Sequence, residues 1–158
     1  LLTFNGVSRR QDIIGESNGI LVIDDFAHHP TAVQETILAL KNHFPDRRLI
    51  AAFEPRTNSS RRRVFQDAYA EAFDYADCAC IKQPPGLESI SQSERLDTRK
   101  LVEAIRQKKQ EAYYFENTQL LLEFLTGYCQ AGDLVLCMSN GSFDGLPSKL
   151  FDAIRGTG

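Results

Sequence analysis

The sequence has no long apolar segment and no strong excess of charge of one sign. No window of its 158 residues approaches the roughly 18 to 20 consecutive apolar residues of a membrane span, so we expect a soluble protein. The formal net charge of -3 argues against nucleic acid or an anionic membrane as the main partner. Hydrophobic residues make up 42% and charged residues 25%, which is typical of a globular domain with a continuous core.

Several motifs that would identify an enzyme by themselves are also missing. There is no G-x-x-x-x-G-K-[ST] phosphate loop, no G-x-G-x-x-G fingerprint and no G-x-S-x-G elbow. If the chain serves catalysis, it therefore completes a site that is built elsewhere. The sequence begins at Leu1 rather than at a methionine, and we expect it to be a piece of a longer protein.

The four cysteines lack the C-x-x-C spacing of metal and redox sites, and two of them fall in apolar, strand-like runs. This pattern predicts reduced core residues of a cytosolic protein. They are Cys78, Cys80, Cys129 and Cys137.

Apolar periodicity predicts strands that alternate with helices. The expected strands are Arg9–Gly15, Ile20–Asp25, Leu49–Phe53, Asp77–Ile81, Ala112–Phe115 and Leu134–Met138, with a hairpin through Ser17-Asn18-Gly19. The expected helices are Thr31–His43, one after Ser60, one capped by Asp97, Gln119–Cys129 and a short one around Leu150–Ile154. This order predicts a single α/β domain over residues 1–158, a Rossmann-like three-layer fold with a mostly parallel sheet and helices on both faces.

Two segments are less regular than the rest. In the helix expected after Ser60, the rows Val64, Ala68, Ala72 and Phe65, Tyr69, Phe73 predict one broad buried face. The stretch Gln83–Glu94 contains Pro84-Pro85-Gly86 and no apolar period, so it is expected to be either a functional, mobile loop or a plain surface connection.

Three of the predicted strands end in polar loops. Ile20–Asp25 runs into Phe26-Ala27-His28-His29, Leu49–Phe53 runs into Glu54–Ser60, and Leu134–Met138 runs into Ser139–Gly145. In an open α/β sheet, ligands bind beyond the carboxyl ends of the strands. The sequence therefore predicts one crevice shared by these three loops.

The first loop offers carboxylates and imidazoles. Asp24 or Asp25 could accept a hydrogen bond from a ribose hydroxyl, could hold a water on Mg²⁺, or could cap the next helix. Because side chains alternate along a strand, we expect at most one of the two to contact a ligand. His28 and His29 lie before a helix N-terminus, where they suit an anion. Zinc binding, or a structural bond from one imidazole to a loop carbonyl, are the alternatives.

The other two loops offer groups that match carboxylates and amides. Arg56 provides a planar guanidinium group with several hydrogen-bond donors. Asn58, Ser59 and Ser60 provide short polar side chains. Gly141 and Gly145 would let the backbone approach a ligand, although Asn140-Gly141 could equally form an ordinary turn. The positive charge of Arg61–Arg63 suits a small anion. Alternatively, these residues form a solvated first turn of a helix, where their charge opposes the helix dipole.

In chain order, Arg9-Arg10, DDFAHHPTA, FEPRTNSSRR and MSNGSFDG strongly resemble the C-terminal domain of the Mur ligase family, whose members form peptide bonds in bacterial cell-wall synthesis with ATP. Members that add L-alanine typically have Tyr-Gly and Gln-Pro-His-Arg where this sequence has Phe26-Ala27 and Glu54–Asn58. The resemblance therefore favours the members that join the recycled tripeptide L-alanyl-γ-D-glutamyl-meso-diaminopimelate to UDP-N-acetylmuramate. A domain that adds L-alanine, or a non-catalytic module that binds peptidoglycan fragments, are the alternatives.

The resemblance implies roles for individual residues. Arg10 would contact the phosphates of ATP and Asp25 its ribose, and no catalytic or metal-ligating residue is assigned with certainty. The residues implied for binding the incoming amino acid or peptide are His28, His29, Arg56, Asn58, Ser59, Arg61, Arg62, Asn140 and Ser142. ATP and Mg²⁺ would be held mainly by a central domain, with a separate N-terminal UDP-binding domain, both outside this chain. The resemblance implies a bacterial cytoplasmic enzyme in which this domain closes as a lid.

Overall fold

The sheet contains six strands in a computed structural model that describes residues 10–56 and 61–157. The strands are β1 (Asp12–Ser17), β2 (Ile20–Asp25), β3 (Arg48–Phe53), β4 (Cys78–Lys82), β5 (Glu111–Phe115) and β6 (Asp133–Met138). Their order across the sheet is β1-β2-β6-β3-β4-β5. Only the β1–β2 pair is antiparallel among these strands, which confirms the prediction of a mostly parallel sheet.

Within the described parts of the chain, five α-helices cover the two faces of this sheet. They are α1 (Pro30–His43), α2 (Gln66–Ala72), α3 (Thr98–Gln107), α4 (Thr118–Tyr128) and α5 (Leu146–Thr157). Helices α1 to α3 bury side chains such as Ile37 and Leu101 in one core, and α4 and α5 bury Leu121 and Leu150 in the other. The predicted placement of helices on both faces is therefore confirmed. No helix within the described ranges is both long and apolar enough to cross a membrane.

The predicted hairpin is present at the start of the sheet. Asn18 and Gly19 have φ angles of 54° and 79°, and a two-residue turn with both angles positive matches the twist of the strands that it joins. The first strand is Asp12–Ser17 rather than Arg9–Gly15, and Arg9 lies outside the described residues. A register shift between Ile13 and Gly15 places a bulge in this edge strand.

The prediction that the cysteines are unbridged core residues is confirmed for those in the strands. Cys78, Cys80 and Cys137 are fully buried in the core that faces α4 and α5, while Cys129 is half-buried beside it. Small side chains in β3 and β4, such as Ala52 and Cys80, leave room for these helices to pack closely against the middle of the sheet.

The prediction for the segment after Ser60 is partly wrong. Ser60 lies outside the described residues, and the helix α2 begins only at Gln66, after a 3₁₀ turn at Arg63–Phe65. Val64 is 81% exposed and Ala68 is exposed, so of the first row only Ala72 is buried. The reason is tertiary: backbone hydrogen bonds from Arg63 N to Glu94 O and from Leu96 N to Arg61 O draw this segment away from a helical path.

The Gln83–Glu94 segment is a loop, as predicted, and it is anchored to the rest of the domain. It contains a 3₁₀ turn at Leu87–Ser89, and the side chains of Leu87 and Ile90 are buried. These two buried apolar side chains hold the loop against the body of the domain.

Substitutions on the two sides of α2 test which side chains of this segment are buried. We expect Val64→Ala to change the free energy of unfolding by no more than about 0.5 kcal/mol, because the side chain is exposed. Phe73→Ala should cost about 3–5 kcal/mol, because Phe73 is fully buried against Phe53. Urea unfolding followed by circular dichroism measures both, and a large loss in the Val64 variant would contradict the assigned exposure.

Candidate functional site

The carboxyl ends of β2, β6 and β3 meet at one edge of the sheet. Met138 at the end of β6 is the register partner of Asp25 on one side and of Phe53 on the other. The chain stays paired beyond the strands, because Ser139 N donates to Asp25 O at 3.3 Å and Glu54 N donates to Met138 O at 3.0 Å. The three loops that sequence analysis placed in one crevice therefore begin side by side.

A buried carboxylate lies at the centre of this edge. Glu54 is completely buried, and its Oε2 atom accepts a hydrogen bond of 2.8 Å from Lys82 Nζ. Ser139 Oγ donates to Glu54 Oε1 at 2.8 Å, and Arg56 Nη1 reaches Oε2 at 3.3 Å. Glu54 thus joins groups from the ends of β3, β4 and β6, and we call these four residues the Glu54 network.

Arg56 lies over the backbone of the loop after β6. A Cβ atom built on Gly141 would come within 2.4 Å of Arg56 Cδ, so glycine lets the arginine side chain cross the loop. Gly141 N donates to Ser139 Oγ at 3.0 Å, which holds the loop in place. The predicted site residues Arg56 and Asn140 are therefore brought together.

Asn140 carries a buried oxygen that lacks a partner. Its Oδ1 atom is buried and accepts no hydrogen bond from any residue that the structure describes. A buried acceptor without a donor is uncommon in folded proteins and calls for a donor from another source. The geometry therefore suits a ligand that brings an N–H or O–H group to this position.

The rest of the loop after β6 has an unusual backbone. Phe143 and Asp144 have φ angles of 54° and 52°, in the left-handed region that non-glycine residues rarely adopt. Ser142 is exposed at the start of this turn. Asp144 Oδ2 accepts a 2.6 Å hydrogen bond from Thr118 Oγ1, which with the nearby charge of Lys82 lowers the pKa of Asp144. The turn is thus tied to α4 and to the Glu54 network.

Asp25 lies in a separate cleft on the other side of β6. This cleft has a volume of about 210 Å³ and is lined by Arg10, Asp25, Phe26, Ala27, His28, Ala32 and Thr36. Asp25 is 3% exposed, and its carboxylate accepts hydrogen bonds of 2.7 Å from the backbone N–H groups of Gln11 and Ala27. Burial raises the pKa of Asp25, although these two bonds and Arg10 act in the opposite direction. Phe26 is 44% exposed at the rim.

The two histidines lie at the start of α1, as the sequence indicated. His28 Nδ1 is 3.0 Å from the carbonyl oxygen of Phe26, which matches the structural role considered for one imidazole. The backbone carbonyl of His28 accepts a hydrogen bond from the Tyr69 hydroxyl. His29 precedes Pro30, and its ring packs edge-on against Phe65. His28 thus faces the Asp25 cleft, while His29 faces α2 and its preceding turn.

The arginines after the second loop hold the 83–94 segment. Arg61 Nη1 donates to Pro85 O at 2.8 Å, and Arg62 Nη1 forms an ion pair of 2.9 Å with Glu94 Oε1. Both of these contacts are made within the domain, and Arg62 remains about one-third exposed. Asn58 and Ser59 lie outside the described residues.

Neither Glu54 nor Lys82 is among the site residues that the sequence predicts. The pattern places Glu54 in a loop and ends the fourth strand one residue before Lys82. The available signal was a charged residue directly after each of the apolar runs Leu49–Phe53 and Cys78–Ile81. Opposite charges at the ends of two parallel strands can pair only if those strands are neighbours, and the sequence does not give the strand order.

Comparisons with known proteins give a consistent result. Residues 9–141 match the family described as Mur ligase, glutamate ligase domain. The UDP-N-acetylmuramate–L-alanyl-γ-D-glutamyl-meso-2,6-diaminoheptandioate ligase of Haemophilus influenzae is 34% identical over 154 residues, which are 97% of this chain and 32% of that protein. The UDP-N-acetylmuramate–L-alanine ligase of Sulfurihydrogenibium sp. is 36% identical over 152 residues, which are 95% of this chain and 32% of that protein.

A solved structure agrees with these sequence matches. A murein peptide ligase from Psychrobacter arcticus 273-4 has a TM-score of 0.80 and 32% identity to this chain. The match covers 96% of this chain and 31% of that structure. The chain therefore spans about a third of the length of the relatives that it matches.

A double substitution tests the Glu54 network. We expect Lys82→Met to lower the free energy of unfolding by about 3–5 kcal/mol, because it leaves the buried carboxylate of Glu54 without its closest cation. Adding Glu54→Gln should recover part of that loss in urea unfolding. Lys108→Met, at an exposed ion pair, should cost no more than about 1 kcal/mol. Strictly additive losses in the double variant would contradict coupling between the two residues.

Proposed function

The chain belongs to the Mur ligase family, and from this premise we propose that it is the C-terminal domain of an ATP-dependent ligase that joins L-alanyl-γ-D-glutamyl-meso-diaminopimelate to UDP-N-acetylmuramate. The family match over residues 9–141 and the coverage of about a third of each relative support a longer protein, in which other domains bind UDP and most of the ATP. We infer a bacterial cytoplasmic location from the substrates named for the relatives.

The observation that carries this proposal is that Arg56 lies over the loop that carries the unpartnered oxygen of Asn140. An acceptor peptide brings a free amine, which donates hydrogen bonds, and carboxylates, which accept them. Asn140 Oδ1 would receive the amine, and the guanidinium of Arg56 would bind a carboxylate. The side chain of Arg56 is 39% exposed, so it can reach a ligand while it stays tied to Glu54.

The tripeptide fits the surroundings of Arg56 better than a single amino acid does. L-Alanine has one carboxylate and needs one cation, whereas the tripeptide carries further carboxylates on its second and third residues. Further along the chain, Arg61 and Arg62 lie against the 83–94 loop, where Arg62 pairs with Glu94 and remains about one-third exposed. These additional cations would match an acceptor with several carboxylates.

The second candidate is the ligation of free L-alanine. Arg56 and Asn140 by themselves could hold the amine and carboxylate of one amino acid, and the Sulfurihydrogenibium relative is named for that activity at a similar level of identity. A competition assay with the longer protein that contains this chain separates the two. We expect the tripeptide to be consumed in preference to L-alanine when both are present with UDP-N-acetylmuramate and ATP, and preferential use of L-alanine would overturn the assignment.

The residues of the Asp25 cleft fit one side of a nucleotide. Arg10 offers a guanidinium for phosphate oxygens, and the carboxylate of Asp25 retains lone pairs for a ribose hydroxyl after accepting two backbone N–H groups. The exposed ring of Phe26 offers a flat apolar surface beside them. Bound ATP would supply the energy that activates the muramate carboxylate. We assign Mg²⁺ mainly to the central domain of the longer protein.

The contribution of this domain would be placement of the reacting groups and electrostatic stabilisation. The Asp25 cleft and the Asn140 position lie on either side of the contact between Ser139 N and Asp25 O, so one rigid edge carries both. Closure of this edge over the other domains would bring the amine and the phosphate-binding arginine into place together. His28 and Ser142 are proposed to line the approach to this position.

Two arginine substitutions in the longer protein should affect different kinetic constants. We expect Arg56→Ala to raise the KM for tripeptide about tenfold or more, because a charge-assisted hydrogen bond is lost, and to leave the KM for ATP nearly unchanged. Arg10→Ala should instead lower kcat and raise the KM for ATP, without changing the urea midpoint, because Arg10 is exposed. Steady-state assays with each substrate varied measure both, and an unchanged tripeptide KM in the Arg56 variant would move recognition to another loop.

A further inference from the structure

A second polar pocket opens at the carboxyl ends of β4 and β5. It has a volume of about 290 Å³ and lies between the loop after β4, the first turn of α3 and Tyr114 of β5. We call it the β4–β5 pocket. Four basic side chains contribute to its lining, namely Arg63, Arg95, Arg99 and Lys100. The functions proposed above give no role to any of the four.

The charge of this pocket favours an anion. Asp97 also lines it, but its carboxylate accepts the backbone N–H of Lys100 at 3.0 Å as the N-cap of α3. The first turn of this ten-residue helix adds the partial positive charge of a helix N-terminus. The guanidinium of Arg99 lies 4.0 Å from the ring centroid of Tyr114, which holds this cation at the wall of the pocket.

Arg95 provides independent evidence for a ligand. Its Nη2 atom donates to Ile90 O at 2.9 Å, but its Nε atom is buried and has no hydrogen-bond partner within residues 10–56 and 61–157. A buried donor without an acceptor is costly, and more so on a charged group. A carboxylate that enters the pocket would supply the missing acceptor and would offset the local positive charge.

The pocket continues the candidate site along the same edge of the sheet. Gln83, which directly follows Lys82 of the Glu54 network, lines the pocket and accepts a 2.6 Å hydrogen bond from Thr98. The loop that carries Asn140 follows β6, and β5 is three positions from β6 in the sheet, which corresponds to about 14 Å at a spacing of roughly 4.8 Å. Three extended residues span about 10 Å, and the γ-linkage of the glutamate and the long side chain of diaminopimelate extend the tripeptide further. A tripeptide whose amine lies at Asn140 therefore reaches towards the pocket, whereas one amino acid does not.

We propose that the β4–β5 pocket binds the carboxylates at the far end of the peptide acceptor, and that it selects a tripeptide over shorter acceptors. This inference rests on the proposed function and adds the part of the site that would recognise acceptor length. The acceptor amine would lie at Asn140 and its last residue beside Arg95 and Arg99, so the peptide would run across the ends of β3, β4 and β5.

Kinetics of charge-removing variants in the longer protein test this subsite. Arg99→Gln and Lys100→Gln change exposed side chains on the first turn of α3, and Arg95→Gln removes the buried donor. We expect each Arg variant to raise the KM for tripeptide about tenfold or more, and Lys100→Gln to raise it less. The KM for L-alanyl-γ-D-glutamate, which ends before the pocket, should stay the same. Arg155→Gln, an exposed charge on α5, is the matched control and should leave both constants unchanged.

The outcomes separate the subsite from the proposed function. If the unsubstituted ligase uses L-alanine and not the tripeptide, the proposed function and the subsite both fail. If it uses the tripeptide but all three variants keep its KM, the subsite alone is overturned. Should Arg95→Gln fail to fold, the two exposed variants still decide the result.

Direct binding distinguishes the tripeptide from other anions. Amide shifts in an NMR titration of the chain with tripeptide should include residues of the first turn of α3, and these shifts should disappear in Arg99→Gln. Shifts there with inorganic phosphate, and none with tripeptide, would overturn the peptide assignment.

Discussion

The carboxylate of Glu54 is the charge on which the functional edge of this domain depends. It is fully buried, and burial of a carboxylate costs several kcal/mol unless cations and hydrogen-bond donors surround it. Its donors, Lys82, Ser139 and Arg56, come from the ends of three different strands. The requirement to satisfy one buried charge therefore fixes the relative positions of the loops after β3, β4 and β6.

This arrangement separates a rigid base from exposed reactive groups. The buried members of the network set the path of the backbone, and the guanidinium of Arg56, the ring of Phe26 and the side chain of Arg10 extend from it towards solvent. Groups held on such a base lose little conformational freedom when a ligand binds, which favours tight and specific recognition. Asn140 is held in the same way, because Ser139 Oγ accepts the backbone N–H of Gly141, while the buried Oδ1 atom of Asn140 has no hydrogen-bond partner among the described residues.

The parts of the fold that could be predicted are those in which local pattern and tertiary packing agree. Strands β2, β3 and β6 are apolar runs with abrupt polar ends, and α1 has a single apolar stripe, so each was predicted within one or two residues. The α-helix predicted around Val64 does not form, because backbone hydrogen bonds with the loop after β4 override a good helical pattern. A pattern of side chains does not report such long-range backbone hydrogen bonds.

The same reasoning applies to the site. The convergence of the loops after β2, β3 and β6 could be predicted, because parallel strands bring their carboxyl ends to one edge. The Glu54–Lys82 pair and the environment of Arg95 depend on which strands are neighbours and on the fold of the 83–94 loop, and neither is encoded in local spacing.

The bulge in β1 affects how this domain meets other copies of itself. An unpaired edge strand offers backbone groups to any extended chain, and long flat edges nucleate aggregates. Here the register shift between Ile13 and Gly15 bends the edge, and the ion pair between Glu16 and Arg47, with Oε2 and Nη2 2.9 Å apart, places charged groups beside it. The edge of the sheet that is farthest from the β4–β5 pocket therefore disfavours growth of the sheet from one molecule into the next.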